Sequence, residues 1–142
     1  VHWIKTHREN NWFPTSDELE KKIKSLKKKK LIFIINSPNN PSGTTCNNLE
    51  NLAKIAKKHK VLVLSDEIYT DLSFNKKYDS ISKFYPEGTF ISGGLSKWCG
   101  AGGWRLGFFA VPEKMSIFLN SLKSIKVLEK FLKLPTPKIK TE

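Results

Sequence analysis

The chain has 142 residues, the size of one ordinary domain, with 39% hydrophobic and 27% charged residues, a balance that fits neither a membrane-embedded nor a disordered chain. No apolar run reaches the ~18 residues needed to cross a bilayer as a helix. Lysine and arginine number 25 against 13 acidic residues, for a net charge of +12, but Arg8 and Arg105 are the two arginines. A positive charge built from lysine, without the bidentate arginine fork that reads base edges, points to a solvated surface and not to a nucleic-acid site.

The first residues, Val1-His2-Trp3-Ile4, read as a strand entered midway, with no basic-then-apolar leader pattern. That start makes the chain look like part of something larger. Thr15, followed three residues later by Glu18, forms a capping-box signature, and Leu19, Ile23 and Leu26 recur at helical spacing. The spacing predicts a helix over 16–29, closed by the lysine run Lys27 to Lys30, where cations suit the negative end of the helix dipole. Leu31 to Ile35 is a short continuous apolar run, as expected of a strand buried on both faces. Pro38, Pro41 and Gly43 turn the chain after it. A second helix, capped by Thr45, carries Leu49, Leu52, Ala53 and Ala56 on one stripe. Further strands are predicted at Val61 to Leu64, Thr89 to Ser92 and Leu106 to Val111. A last helix from Glu113 carries Met115, Phe118, Leu122 and Ile125.

Strands alternating with helices define an α/β fold, a mostly parallel sheet with helices on both faces. Ligands in such sheets bind beyond the carboxyl ends of the strands. Residues 1–127 read as the folded part and 128–142 as a basic, Pro-broken tail. Cys46 and Cys99 lie far apart without CxxC spacing and are expected to be reduced thiols of a cytoplasmic protein. His2, His7 and His59 have no Cys or carboxylate partner at ligand spacing, so they read as surface histidines and not as metal ligands.

Three segments carry the chemistry. Asn36-Ser37-Pro38-Asn39-Asn40-Pro41-Ser42-Gly43 follows the first strong strand and offers amide groups on a stiff backbone. Ser65-Asp66-Glu67-Ile68-Tyr69 places a carboxylate at the end of the second, with a phenol three residues on. Gly93 to Gly107 is a glycine-rich loop holding Lys97 and, eight positions later, Arg105. Its glycines permit close backbone approach and anion-binding amide nests, and Arg105 can clamp a phosphate. Each segment alone is weak. A Pro/Asn turn, an isolated Asp-x-x-Tyr, an N-cap aspartate or an arginine paired at a sheet edge would all be ordinary structural features.

In this order and spacing, with 26 positions from Asn40 to Asp66 and 31 from Asp66 to Lys97, the segments resemble the fold-type I, pyridoxal-phosphate-dependent aminotransferases of class I/II. The matching pattern is NxPNNPSG, SDEIY and GLSKxxGxxGWRLG. The likeness runs from about Trp3 to Phe118 and implies part of the large domain of such an enzyme. It implies that Lys97 carries pyridoxal 5'-phosphate as a Schiff base and moves the substrate's α-proton. It further implies that Asp66 pairs with the ring nitrogen, that Tyr69 and Asn40 hydrogen-bond the ring's phenolic oxygen, and that Arg105 binds the phosphate. Trp98 and Trp104 are expected to pack and not to stack on the cofactor. The family often has Ser or Thr three residues before the lysine; here that position is Gly94, leaving Ser96 or Ser92 as candidate phosphate ligands.

The activity so implied is transfer of an amino group from an amino acid to a 2-oxo acid, in a homodimer, without nucleic-acid or membrane partners. A lyase of the same fold and a catalytically inactive truncated product are the alternatives. Because the resemblance covers one wall of the family's site, the 142 residues by themselves are expected not to transaminate.

Overall fold

A computed structural model describes residues 1–27, 30–74 and 78–115 of the chain. The expected boundary at residue 127, the tail 128–142, and Phe118, Leu122 and Ile125 of the last helix lie outside the described residues. Val1–Pro112 forms one compact unit, and Glu113–Glu142 is a second, of which residues 113–115 are helical. No helix among the described residues is long and apolar enough to cross a membrane.

The chain opens irregularly. Residues 1–7 form no strand, and Val1 and Trp3 are exposed. Among the described residues they pair with none of the strands, and strand propensity has no force without a partner. Helix α1 spans Ser16–Leu26 and begins with the predicted capping box. The Thr15 hydroxyl oxygen accepts from the Glu18 amide at 3.2 Å, and the Glu18 carboxylate accepts from the Thr15 amide at 2.8 Å. The bond from the Thr15 amide, followed by that from its hydroxyl, holds the Glu18 carboxyl below the usual carboxylate range. The helix stops three residues short of the predicted end, because Lys27 turns left-handed at φ 48° and breaks the ladder.

Strand β1 (Ile32–Asn36) leads through the Pro/Asn turn to helix α2 (Leu49–Lys58). The N-cap is Asn48, not Thr45. The buried amide of Cys46 donates to the Ser37 hydroxyl at 3.1 Å, and the Thr44 hydroxyl donates to the Asn11 carbonyl at 2.7 Å. The first tie holds the segment against the end of β1 and the second against the turn at Asn11, so the helix starts later. The predicted stripe is otherwise correct: Leu49, Leu52, Ala53 and Ala56 are all buried. Both cysteines are free, Cys46 buried and Cys99 exposed, and burial pushes the Cys46 thiol up.

Strands β2 (Leu62–Asp66), β3 (Thr89–Gly94) and β4 (Gly107–Ala110) complete a four-stranded sheet in the order β1-β2-β3-β4. The first three strands are parallel and β4 is antiparallel to β3. Three short 3₁₀ turns, Thr70–Leu72, Ile81–Lys83 and Pro86–Gly88, connect β2 to β3. Leu19, Leu52, Ala53, Ala56, Val63 and Ile81 form one core with Phe13 and Ile35. This core lies on one face of the sheet. Ile32 and Ile34 alternate onto the other face and are 64% and 66% exposed. The uninterrupted apolar run predicts burial on both faces, but among the described residues both helices belong to the same core and cover one of them.

Glu20 ties the two helices together. Its carboxylate accepts from Lys58 Nζ at 2.8 Å, contacts His59 Nε2 at 2.8 Å and lies 3.4 Å from Lys24 Nζ. His59 is therefore half-buried against a carboxylate and is not the free surface histidine its sequence context suggests. The bonds from Lys58 and then His59 pull the Glu20 carboxyl down to about 2 from 4.5. A lowered carboxylate stabilises the fold at pH values above its unfolded value, and this stability is lost as pH falls through the folded one. Acid titration followed by denaturation should show stability falling between pH 4.5 and about 2, and Glu20→Gln should flatten that part of the profile.

Candidate active site

The carboxyl ends of the parallel strands meet in one register. Asn36 pairs with Asp66, and Asp66 with Ser92. Polar side chains replace apolar ones at this one level of all three strands. Asp66 is the last residue of β2, and its carboxylate accepts from the Ser92 hydroxyl at 3.2 Å and the Ile68 amide at 3.4 Å. Asn36 joins the first two segments: its side-chain amide donates to the Asp66 carbonyl at 3.1 Å, and its side-chain oxygen accepts from the Asn40 amide at 2.9 Å. Sequence reasoning passed over Asn36 as a turn residue. The signal was its place, a carboxamide where an apolar strand ends.

The Pro/Asn turn is closed by its own groups. Asn39 accepts the Ser42 hydroxyl at 2.7 Å, its backbone carbonyl accepts the Gly43 amide at 2.8 Å, and Gly43 takes φ +68°, which a glycine adopts without cost. The turn so held presents Asn40. Its side-chain amide donates to the Tyr69 hydroxyl at 2.9 Å across 29 residues of sequence. The Lys97 ammonium lies 5.5 Å from the centroid of the same Tyr69 ring, within cation–π range. The structure thus brings Asn40, Tyr69 and Lys97 together, with Asp66 three residues before Tyr69 at the end of β2.

Arg105 and Ser96 belong to the same loop as Lys97, but among the described residues no hydrogen bond or ion pair joins either side chain to Asn40, Tyr69 or Lys97. Arg105 is exposed, sits left-handed at φ 53°, and donates from Nη1 to the Gly102 carbonyl at 3.0 Å. Ser96 is half-buried in the turn after β3. The Ser92 hydroxyl is engaged by Asp66. Trp98 and Trp104 are exposed, Trp104 at 79%, so the expectation that they pack does not hold among the described residues. A cavity of about 380 Å³ lined by Cys46, Leu49, Tyr78 and Phe84 includes none of the candidate residues and has no part in their chemistry.

Gly94 has a steric reason. A Cβ placed there would lie 2.8 Å from the Leu106 carbonyl oxygen and 3.1 Å from the Gly107 Cα. Gly94 pairs with Gly107, and β3 and β4 approach too closely at this point for a side chain. Gly94→Ser should therefore cost about 1–3 kcal/mol, the usual range for overpacking, measured by urea denaturation. A neutral result would show that β4 can move aside.

An α/β sheet with a carboxylate, a phenol, a carboxamide and a lysine gathered at its carboxyl edge defines a class of cofactor-type site, and the comparisons with known proteins give it a family. The family model for aminotransferase class I and II matches residues 1–134. The chain is 36% identical over 115 residues to an aspartate aminotransferase of Pyrococcus horikoshii, covering 79% of this chain and 29% of that protein. It is 39% identical over 116 residues to aromatic-amino-acid aminotransferase 2 of Thermococcus litoralis, covering 78% and 29%. Among solved structures, aspartate aminotransferase of Thermus thermophilus with maleate superimposes with a TM-score of 0.69 at 29% identity, over 78% of this chain and 29% of that one. A PLP-dependent aminotransferase of Streptococcus suis superimposes with a TM-score of 0.72 at 27% identity, over 88% and 33%. The chain belongs to the class I and II aminotransferase family. It spans less than a third of the length of the two curated relatives just described.

Proposed function

We propose that this chain forms the cofactor-bearing part of a pyridoxal-phosphate-dependent aminotransferase, which moves an amino group from an amino acid to a 2-oxo acid. The observation that carries the reading is the convergence of Asn40, Tyr69 and Lys97, joined by a 2.9 Å hydrogen bond and a 5.5 Å ring contact, next to Asp66 at the strand end. The donor set fits the group. A lysine amine suits an aldehyde, a carboxylate suits a protonated pyridine nitrogen, and a phenol with a carboxamide suits a phenolic oxygen. When bound, pyridoxal phosphate supplies an electron sink for negative charge at the substrate's α-carbon.

The protein's part is to hold and to move protons. Lys97 Nζ would hold the cofactor and would carry the proton from the substrate's α-carbon. The Asp66 carboxylate, which accepts from the Ser92 hydroxyl, would keep a proton on the ring nitrogen. Tyr69 Oη and Asn40 Nδ2, within hydrogen-bonding distance of each other, would both donate to the cofactor's phenolic oxygen. Arg105 is the phosphate ligand of this reading, and swinging it into place requires release of its bond to Gly102. Ser96 is a better phosphate donor than Ser92, whose hydroxyl is used by Asp66. Amino-acid and 2-oxo-acid substrates, a homodimer and a cytoplasmic location complete the reading; the two unpaired cysteines support the last. A lyase of the same fold is less favoured, since the relatives and solved structures described above are named aminotransferases.

Borohydride reduction of the protein with pyridoxal phosphate, followed by peptide mass mapping, should place the label on Lys97. Label on another lysine would overturn the assignment. In an active protein carrying this sequence, Asp66→Asn should keep that label while lowering turnover by about 10- to 100-fold, the scale of a lost charge-assisted hydrogen bond. Unchanged turnover in steady-state assays would remove Asp66 from the mechanism.

A further inference from the structure

Glu67 lies between Asp66 and Tyr69 and has no role in the reading above, yet its backbone amide, its backbone carbonyl and one carboxylate oxygen are all engaged. Its carboxylate oxygen Oε1 accepts from the Ser65 hydroxyl at 2.9 Å and from the Ser80 hydroxyl at 2.6 Å. Its amide donates to the Ser92 carbonyl at 2.9 Å, and its carbonyl accepts from the Thr70 amide at 3.1 Å and the Thr70 hydroxyl at 2.9 Å. The two hydroxyl partners are themselves fixed. Ser65 is 1% exposed. Ser80 caps the turn Ile81–Lys83 by accepting from the Ser82 amide at 3.2 Å, and that turn buries Ile81 in the core.

Side chains alternate along a strand, so Glu67 follows Asp66 onto the opposite side. There it meets the core-anchored serines while Asp66 meets Ser92. Two hydroxyls converging on one ionised oxygen are short, charge-assisted bonds, stronger than neutral ones. They join the strand end to a turn 13 residues further along the chain. The Tyr78 hydroxyl is buried nearby, and its titration is pushed up by burial and then by the Glu67 charge. Glu67 is itself half-buried beside that phenol, where hydrogen bonds count for more than in water.

We propose that Glu67 is a positioning residue: its carboxylate, clamped by Ser65 and Ser80, sets the exit of the chain from β2 so that Asp66 and Tyr69 both reach the cofactor. The proposal rests on the cofactor reading above for its consequence, but the clamp itself can be tested without cofactor. Because both hydroxyls bond the same oxygen, a glutamine can offer its carbonyl oxygen to both, whereas an alanine offers nothing.

The test compares Glu67→Ala, Glu67→Gln and the milder Ser80→Ala in the protein carrying this sequence. Two readouts are used: amide hydrogen exchange without cofactor, and affinity for pyridoxal phosphate followed by its absorbance. In Glu67→Ala, exchange at Ile68 and Thr70 should quicken by about tenfold, with the amides of α1 and α2 unchanged, and affinity should fall by about tenfold. Ser80→Ala should show a smaller change of the same kind, and Glu67→Gln should stay within about threefold of the unsubstituted protein in both readouts. Unchanged exchange at Ile68 and Thr70 in both Glu67→Ala and Ser80→Ala would overturn the clamp. Faster exchange with unchanged affinity would overturn its link to the site, as would failure of glutamine to restore affinity. If Glu67→Ala does not fold, Ser80→Ala against Glu67→Gln decides by the same two readouts. Absence of pyridoxal-phosphate binding by the unsubstituted protein would defeat the functional reading and with it the positioning role, while the exchange results would still decide whether the clamp exists.

Discussion

Three parallel strands end in one register, and the candidate site depends on it. Parallel pairing places Asn36, Asp66 and Ser92 side by side at the carboxyl edge. A slip of one residue would send Asp66 to the opposite face, where Val63 lies against the helices. The register is held by the core on that face, which Ile35 and Val63 share with Leu52, Ala53 and Ala56 of α2. It is held again at the edge, where Asn36 bonds both the Asp66 carbonyl and the Asn40 amide. The apolar layer thus sets which way the polar residues point.

The two sides of the β2 exit divide the work. On one, Asp66 meets Ser92, and Tyr69 meets Asn40 and Lys97. On the other, Glu67 is gripped by Ser65 and Ser80. Ligand-binding edges must keep polar groups accessible and are poor in packing contacts. Stiffness at such an edge has to come from behind it, and a buried serine with a capped turn provides that. The glycine pair Gly94–Gly107 does similar work between β3 and β4, where close backbone approach excludes a side chain.

Much of this was legible in the residues. The capping box at Thr15, the stripe of α2 and all four strands follow from periodicity and turn chemistry, which are local. The departures are also physical. Lys27 turns left-handed and shortens α1, and the ties from Cys46 to Ser37 and from Thr44 to Asn11 delay α2. Ile32 and Ile34 remain exposed because a continuous apolar run does not say how many helices will cover it. The networks around Asn36 and Glu67 were missed because each joins positions far apart in the chain, where no spacing rule reaches.

The sequence by itself determined the elements, their order and the kinds of group that arrive at the sheet edge, because backbone propensity and side-chain period are properties of short segments. It also determined the family, through three motifs whose joint spacing is rarer than any one of them. Which groups touch was decided by tertiary structure alone. Asn40 and Tyr69 are 29 residues apart and meet only because a turn and a strand exit fold against the same edge. Arg105, though only eight residues from Lys97, rests on its own loop at Gly102. Contact between distant residues follows from register and packing, and neither is a local property of the chain.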